Sequence, residues 1–264
     1  MSIIYLPEFN QNLIEIGPLA IRWYSLAYIF GILIAMIFIN KQNAKRHFMS
    51  QKAQDDWLMW AVLSIILGGR LGYVLFYNLP YFVQNPLDIL AIWQGGMSFH
   101  GGLLGSILGL YLFCRVHRVN FLEIADIIAI IAPVGIFLGR MANFINLELY
   151  GRPTNGDFGF VFPSDPLLLA RHPSQLYEGI CEGLLTFVIL FILAKFTKIQ
   201  EKRGVLSGLF LILYGFWRIL IENFREPDAQ IGFLFQYITM GQILSVPLIF
   251  LGFWLVFGRK HGKI

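Results

Sequence analysis

Apolar residues in this chain come in long, nearly unbroken stretches, not alternating and not in short amphipathic segments. Seven stretches stand out, at 19–39, 57–78, 97–115, 121–141, 176–195, 205–222 and 237–257. Each approaches the about 20 residues a helix needs to cross a bilayer, and a helix satisfies its own backbone polar groups where water is absent. The pattern predicts an all-α, polytopic membrane protein with seven transmembrane helices, forming a single integral-membrane domain over 1–264. The third stretch is dense in glycine, with Gly95, Gly96, Gly101, Gly102, Gly105 and Gly109. Small residues at that density permit close helix approach or irregular backbone beside a cavity.

Charge orients the spans. With the N-terminus outside, the inner segments are 41–56, 115–120, 195–204 and the tail from 258. They hold thirteen of the 20 basic residues, including every lysine. The outer side holds only arginines: Arg22, Arg140, Arg152, Arg171, Arg218 and Arg225. Arg70 falls within the second span. This asymmetry obeys the positive-inside rule with an odd number of crossings, and predicts a multi-pass membrane protein with its N-terminus outside and its C-terminus cytoplasmic; the family resemblance given below makes that membrane the bacterial inner (cytoplasmic) one and the outer side the periplasm. The connection 142–175 becomes an outer loop or head between spans four and five. Its length, prolines and aromatics suggest an ordered, functional segment. The basic run follows the first apolar stretch, in Asn40-Lys-Gln-Asn-Ala-Lys-Arg-His47, which argues for a first span and against a cleaved signal peptide.

Composition agrees. The chain is 57% hydrophobic and 14% charged, against roughly 25% charged in soluble domains. A polar-surfaced globule is excluded and a nucleic-acid partner is not expected. Cys114 and Cys181 lie in apolar runs without CxxC or metal spacing, so they are expected to be small buried hydrophobes. Spans of this length need no partner, and a monomer is expected.

The candidate chemistry lies at the outer ends of the spans. Gly139-Arg-Met-Ala-Asn-Phe-Ile-Asn-Leu-Glu-Leu-Tyr-Gly-Arg152 places arginines, asparagines and a glutamate where an apolar run ends. Ionisable groups at membrane depth usually face a cavity and carry function. Arg140 and Asn143 share a helix face, and Glu148 follows where the helix should end. Arg218 and Glu222 are four apart near the end of span six, with Tyr214 one turn earlier and Asn223, Arg225 and Glu226 following at the surface. His100 sits among glycines and can exchange a proton near neutral pH. Tyr24 stands at the outer end of span one, His172 and Tyr177 at the start of span five, and Asp126 within span four. Arginine makes forked contacts to phosphate that lysine does not, so an arginine-only outer face suits an anionic head group. On these features alone, a lipid-modifying enzyme and a transporter or channel for an anionic lipid or solute fit equally. An intramembrane protease is weaker, because Ser98 two residues from His100 is little evidence of a pair. A structural or chaperone-like protein would leave the outer arginines without a role.

The chain also resembles the bacterial prolipoprotein diacylglyceryl transferase family over essentially its full length. The segment 139–152 is similar to the family signature. Ile21-Arg-Trp-Tyr24, Gly96-Met-Ser-Phe-His100-Gly-Gly, His172-Pro-Ser-Gln-Leu-Tyr-Glu178 and Arg218-Ile-Leu-Ile-Glu222-Asn-Phe-Arg-Glu-Pro-Asp228 match in the same order. Met141-Ala142 departs from a pattern that more often reads Ile/Leu-Gly. The resemblance implies transfer of the sn-1,2-diacylglyceryl group from phosphatidylglycerol to the lipobox cysteine of prolipoprotein signal peptides, with release of glycerol-1-phosphate. It implies Arg140, Arg218, His100 and Glu148 as catalytic candidates. Arg140, Asn143, Gly151, Tyr24, His172, Tyr214, Glu222 and Asp126 are implied as substrate-binding or site-building. No metal, nucleotide or other cofactor is implied.

Overall fold

The computed structural model describes residues 2–10, 12–16, 19–156, 158–227 and 238–258. Asp228, the first residue of the seventh predicted span and the tail arginine and lysines (Arg259, Lys260, Lys263) lie outside the described residues. The chain is mostly helical. Its helices are α1 Trp23–Arg46, α2 Gln51–Phe76, α3 Leu79–Gln84, α4 Phe99–His117, α5 Phe121–Ile145, α6 Ser174–Glu178, α7 Thr186–Phe196, α8 Val205–Ile221 and α9 Met240–Phe253. A π-helical stretch, Gly179–Leu185, joins α6 to α7, and a second, Trp254–Gly258, extends α9.

Six of these segments are long and apolar enough to cross a membrane: 23–46, 51–76, 99–117, 121–145, 174–196 and 240–258. The stretch expected to be the sixth span forms α8, an apolar helix of 17 residues. It starts after Gly204, whose φ of +90° stops the backbone from continuing upstream as helix. The six long helices establish a multi-pass membrane protein.

The all-α expectation needs correction, because the chain also forms short strands: β1 Ser2–Tyr5, β2 Asn12–Ile16, β3 Leu19–Arg22, β4 Phe158–Val161 and β5 Ala170–Arg171. β1 pairs parallel with β4, β4 pairs antiparallel with β5, and β2 pairs antiparallel with β3. Strands of two to five residues carry too little periodic signal to be read beside spans of twenty. The connection after span four is thus an ordered segment built on strands.

The chain divides into two compact units, one of residues up to 39 and from 125 onward, the other Asn40–Ile124. In the second unit, α2 and α4 cross at their glycines. A Cβ on Gly72 would lie 2.6 Å from Gly101 Cα, and one on Gly105 2.7 Å from Gly68 Cα. Only hydrogen fits there, which explains the glycine density noted in the sequence. Arg70, buried in α2, donates to the carbonyls of Asp88, Ile89, Ala91, Gly95 and Gly96 at 2.5–3.3 Å. It ties down the segment between α3 and α4, and its carbonyl partners replace the water a buried guanidinium loses.

The first unit holds a core of Ile130, Ile131, Leu190, Ala194 and Leu206, with Ile34, Phe38 and Leu213 packed around it. Cys114 is buried and Cys181 half-buried, both free thiols.

Candidate active site

Helix α5 ends in a distorted loop that presents Glu148. Leu147 and Leu149, on either side of it, adopt φ of +57° and +55°, a region that branched apolar side chains rarely enter. The loop is held open by side chains from elsewhere. Gln175 Nε2 donates to the Glu148 carbonyl at 2.6 Å, Ser174 Oγ to that of Leu149 at 3.0 Å, and Ser164 Oγ to that of Leu147. Gln175 and Ser174 are fully buried. Backbone strain maintained by buried hydrogen bonds is characteristic of functional loops.

Glu148 joins two other predicted site residues. Asn143 Nδ2 donates to Glu148 Oε1 at 3.1 Å and also to the Tyr24 hydroxyl, which α1 brings to the end of α5. Asn146 donates to the same glutamate oxygen at 3.3 Å. Arg140, one turn before Asn143, reaches the Asn143 carbonyl oxygen Oδ1 from Nη1 at 3.5 Å.

The other face of Arg140 enters a buried ion cluster. Its Nη2 lies 2.7 Å from Glu178 Oε2. Arg218 Nη1, from α8, lies 3.1 Å from that same oxygen, and Arg225 Nη1 is also 3.1 Å from it. Glu222 Oε2 faces Arg218 Nη2 at 3.1 Å, the i,i+4 pair expected from the sequence. Glu182 completes the group, 3.9 Å from Arg140 and 3.7 Å from Arg218. Three guanidinium groups and three carboxylates from α5, the 174–185 segment and the end of α8 therefore share one location. Glu178 and Glu182 have no exposed surface, and the three arginines retain only 11–20%. Arg225, read from sequence as a surface residue, is a largely enclosed member of this cluster. Tyr214, one turn before Arg218, stacks on Phe210 at 5.9 Å and lies within electrostatic reach of Glu182, Arg218 and Arg140.

Gly151 and His172 fix the loop to the end of α8. Gly151 bridges to Arg225, and its N–H donates to the His172 carbonyl at 2.8 Å. A Cβ on Gly151 would come 2.8 Å from that carbonyl oxygen and closer still to the carbonyl of Phe224. The His172 ring packs on Phe224 at 5.1 Å, and its Nδ1 is 3.3 Å from the Tyr177 hydroxyl. Burial lowers the His172 pKa and favours the neutral ring. Arg152 donates to the carbonyls of Arg225 at 2.7 Å and Glu222 at 3.2 Å.

Two predicted residues have other surroundings within their own units. Asp126 accepts from the N–H groups of Gly204 and Ser207 at 2.6 and 2.7 Å and from Ser207 Oγ at 2.7 Å. It caps the start of α8, about 21 Å of helical rise along α5 from Arg140. His100 is exposed at the start of α4, in the other unit, with its ring against Phe99.

Glu178, Glu182 and Arg225 escaped the sequence reading as site residues. The available signal was two acids four apart, at 178 and 182, inside an apolar run. Unpaired carboxylates are not stable there, so cations from other helices had to meet them.

Helices suited to a membrane and a largely buried arginine–glutamate cluster at their ends define a multi-pass membrane protein with a charge-paired polar centre. The family model described as prolipoprotein diacylglyceryl transferase matches residues 11–258. Curated relatives named phosphatidylglycerol–prolipoprotein diacylglyceryl transferase agree with it. One from Rickettsia felis is 53% identical over 251 residues, covering 95% of this chain and 96% of its own. One from Azospirillum brasilense is 50% identical over 258 residues, covering 97% and 96%. The chain belongs to the prolipoprotein diacylglyceryl transferase family.

Proposed function

We propose that this protein transfers the sn-1,2-diacylglyceryl group of phosphatidylglycerol to the lipobox cysteine of a prolipoprotein, the first step of lipoprotein maturation. The observation that carries the site assignment is the meeting of Arg140 and Arg218, from different helices, on one oxygen of Glu178 at 2.7 and 3.1 Å. Together they can grip a phosphodiester through forked, charge-assisted hydrogen bonds.

The substrate thiolate attacks the glyceryl carbon that carries the phosphate ester. The S–C bond forms as the C–O bond breaks, and its electron pair leaves on the phosphate oxygen of glycerol-1-phosphate. Negative charge grows on that oxygen, so preorganised guanidinium groups stabilise the transition state more than the bound lipid. Nearby cations also favour the thiolate. Glu148 and Arg140 take part in removing the thiol proton, and His100, in the other unit, is a candidate for that step by the chemistry of its imidazole alone. Tyr24, Asn143, Gly151, His172, Tyr214 and Glu222 shape the site around the lipid head group, and Asp126 acts by fixing α8.

In this reading α8 is the sixth of seven spans. A 17-residue helix reaches about 25 Å, the short end of what crosses a bilayer. The N-terminus and the 142–175 head are periplasmic and the C-terminus cytoplasmic, as the lysine distribution supports.

The test is direct. Purified protein is incubated with phosphatidylglycerol and a lipobox peptide, and the peptide is weighed by mass spectrometry. A diacylglyceryl gain on cysteine, lost when that cysteine is serine, is expected. An unmodified thiol after prolonged incubation contradicts the proposal.

A further inference from the structure

Glu182 belongs to no motif that pointed to the site, yet it is the most unusual side chain in it. It has no exposed surface, and neither carboxylate oxygen accepts a hydrogen bond. Buried carboxylates are ordinarily saturated with donors. Here one oxygen faces Arg140 Nη2 at 3.9 Å and the other faces Arg218 Nη1 at 3.7 Å. These separations give strong Coulomb attraction in a low-dielectric setting but no directed bond. Glu178, one turn earlier, does the opposite, taking hydrogen bonds from Arg218 and Arg225 at 3.1 Å.

The backbone is built for this placement. Glu182 lies in the π-helical stretch Gly179–Leu185, a wide turn that occurs most often at functional sites. Gly179 and Gly183 face α5 at close range. A Cβ on Gly183 would lie 2.7 Å from Phe137 Cβ, and one on Gly179 3.3 Å from Arg140 Cβ. The two glycines let this segment come near enough for its acids to reach both arginines.

Resting on the function proposed above, we propose that Glu182 is a positioning residue for the reaction. It is a buried counter-anion that holds Arg140 and Arg218 at a common spacing by charge alone, taking no N–H donor of either for itself. Its negative charge also moderates the attraction of the two arginines for the anionic head group before reaction. Without that charge the ground-state lipid binds more tightly and the arginines lose their shared placement. Misplacement by an ångström costs on the order of 100-fold in rate.

The experiment measures KM for phosphatidylglycerol in mixed micelles and kcat separately, for wild type, Glu182→Gln and Glu182→Asp. For Glu182→Gln, kcat falls about 10- to 100-fold while KM falls roughly three-fold or more, the signature of altered ground-state balance. Glu182→Asp keeps the charge and is expected to hold KM at the wild-type value with an intermediate kcat. Unchanged constants in Glu182→Gln, or a raised KM, overturn the inference. Should Glu182→Gln fail to fold, Glu182→Asp decides: a wild-type kcat or a raised KM overturns it. A wild-type protein that forms no thioether would overturn the proposed function instead, so the two failures are distinct.

Discussion

Arg140 on α5 and Arg218 on α8 reach the same Glu178 oxygen, at 2.7 and 3.1 Å, although 78 residues separate them in the chain (218 − 140). Glu178 thereby joins two helices and places their guanidinium groups side by side. Arg225 contacts both Glu178 oxygens at 3.1 Å. Breaking a buried ion network by removing one partner typically costs about 3–5 kcal/mol. Glu178→Ala is therefore expected to lower the thermal midpoint in detergent strongly, with activity lost in parallel. A midpoint equal to wild type would mean the cluster is solvated and Glu178 dispensable.

Asp126 is expected to act through stability, because it ties down the start of α8. Its carboxylate satisfies the free N–H groups of Gly204 and Ser207 at the start of α8. Asp126→Ala leaves those donors buried without a partner, a loss of about 1–3 kcal/mol. The expected result is a lower thermal midpoint with near-normal turnover per folded molecule at low temperature. A selective rise in KM for phosphatidylglycerol would instead place Asp126 at the substrate.

Gly151 is needed for space. A methyl group there meets two backbone carbonyls, those of His172 and Phe224, and neither can move as a side-chain tip could. Gly151→Ala is expected to displace the loop from the end of α8 and cut activity at least about 10-fold, since overpacking costs about 1–3 kcal/mol. Limited proteolysis across residues 146–173 reports the loosening. A variant with wild-type cleavage and activity refutes the close approach.

Acid should weaken the 146–173 segment. Burial alone would raise the Asp165 pKa. The Arg171 hydrogen bonds and the N–H groups of Leu167 and Leu169 outweigh it and hold the carboxyl below its ordinary value. The folded pKa is thus depressed, so its stabilisation is present above the unfolded value of about 3.9 and is lost as pH falls through the folded one. Burial also depresses the His172 pKa. For a base, the unfolded chain then binds the extra proton first, so stability again declines as pH falls below about 6.5. Thermal midpoints should drop in two steps on acidification. His172→Gln should remove the upper step and Asp165→Asn the lower. A single step unaffected by either variant contradicts these environments.

Six long apolar helices were legible because twenty-residue apolar runs are a strong signal, and the Arg140–Asn143 and Arg218–Glu222 pairs followed from helical spacing. The strands were not, because β4 and β5 are short and are stabilised by partners distant in sequence, as when Ser2–Tyr5 pairs with Phe158–Val161. Nor was the burial of Arg225. A charged residue just past a helix end reads as solvated, and only the approach of Glu178 from another helix takes it inside. Asp126 illustrates the converse: an acid in an apolar run invites a functional reading, while its partners include the backbone N–H groups of Gly204 and Ser207, which no side-chain pattern reveals.

The central claim is that Arg140 and Arg218 act as one phosphate clamp, and a double-mutant cycle under single-turnover conditions tests it most directly. Arg140→Lys and Arg218→Lys each keep a positive charge but lose the planar fork. Each is expected to slow diacylglyceryl transfer by about 100-fold or more, and the double variant to be little slower than the worse single one, because groups that work as a unit are not additive. Either single variant turning over near the wild-type rate, or two losses that simply multiply, would contradict the account.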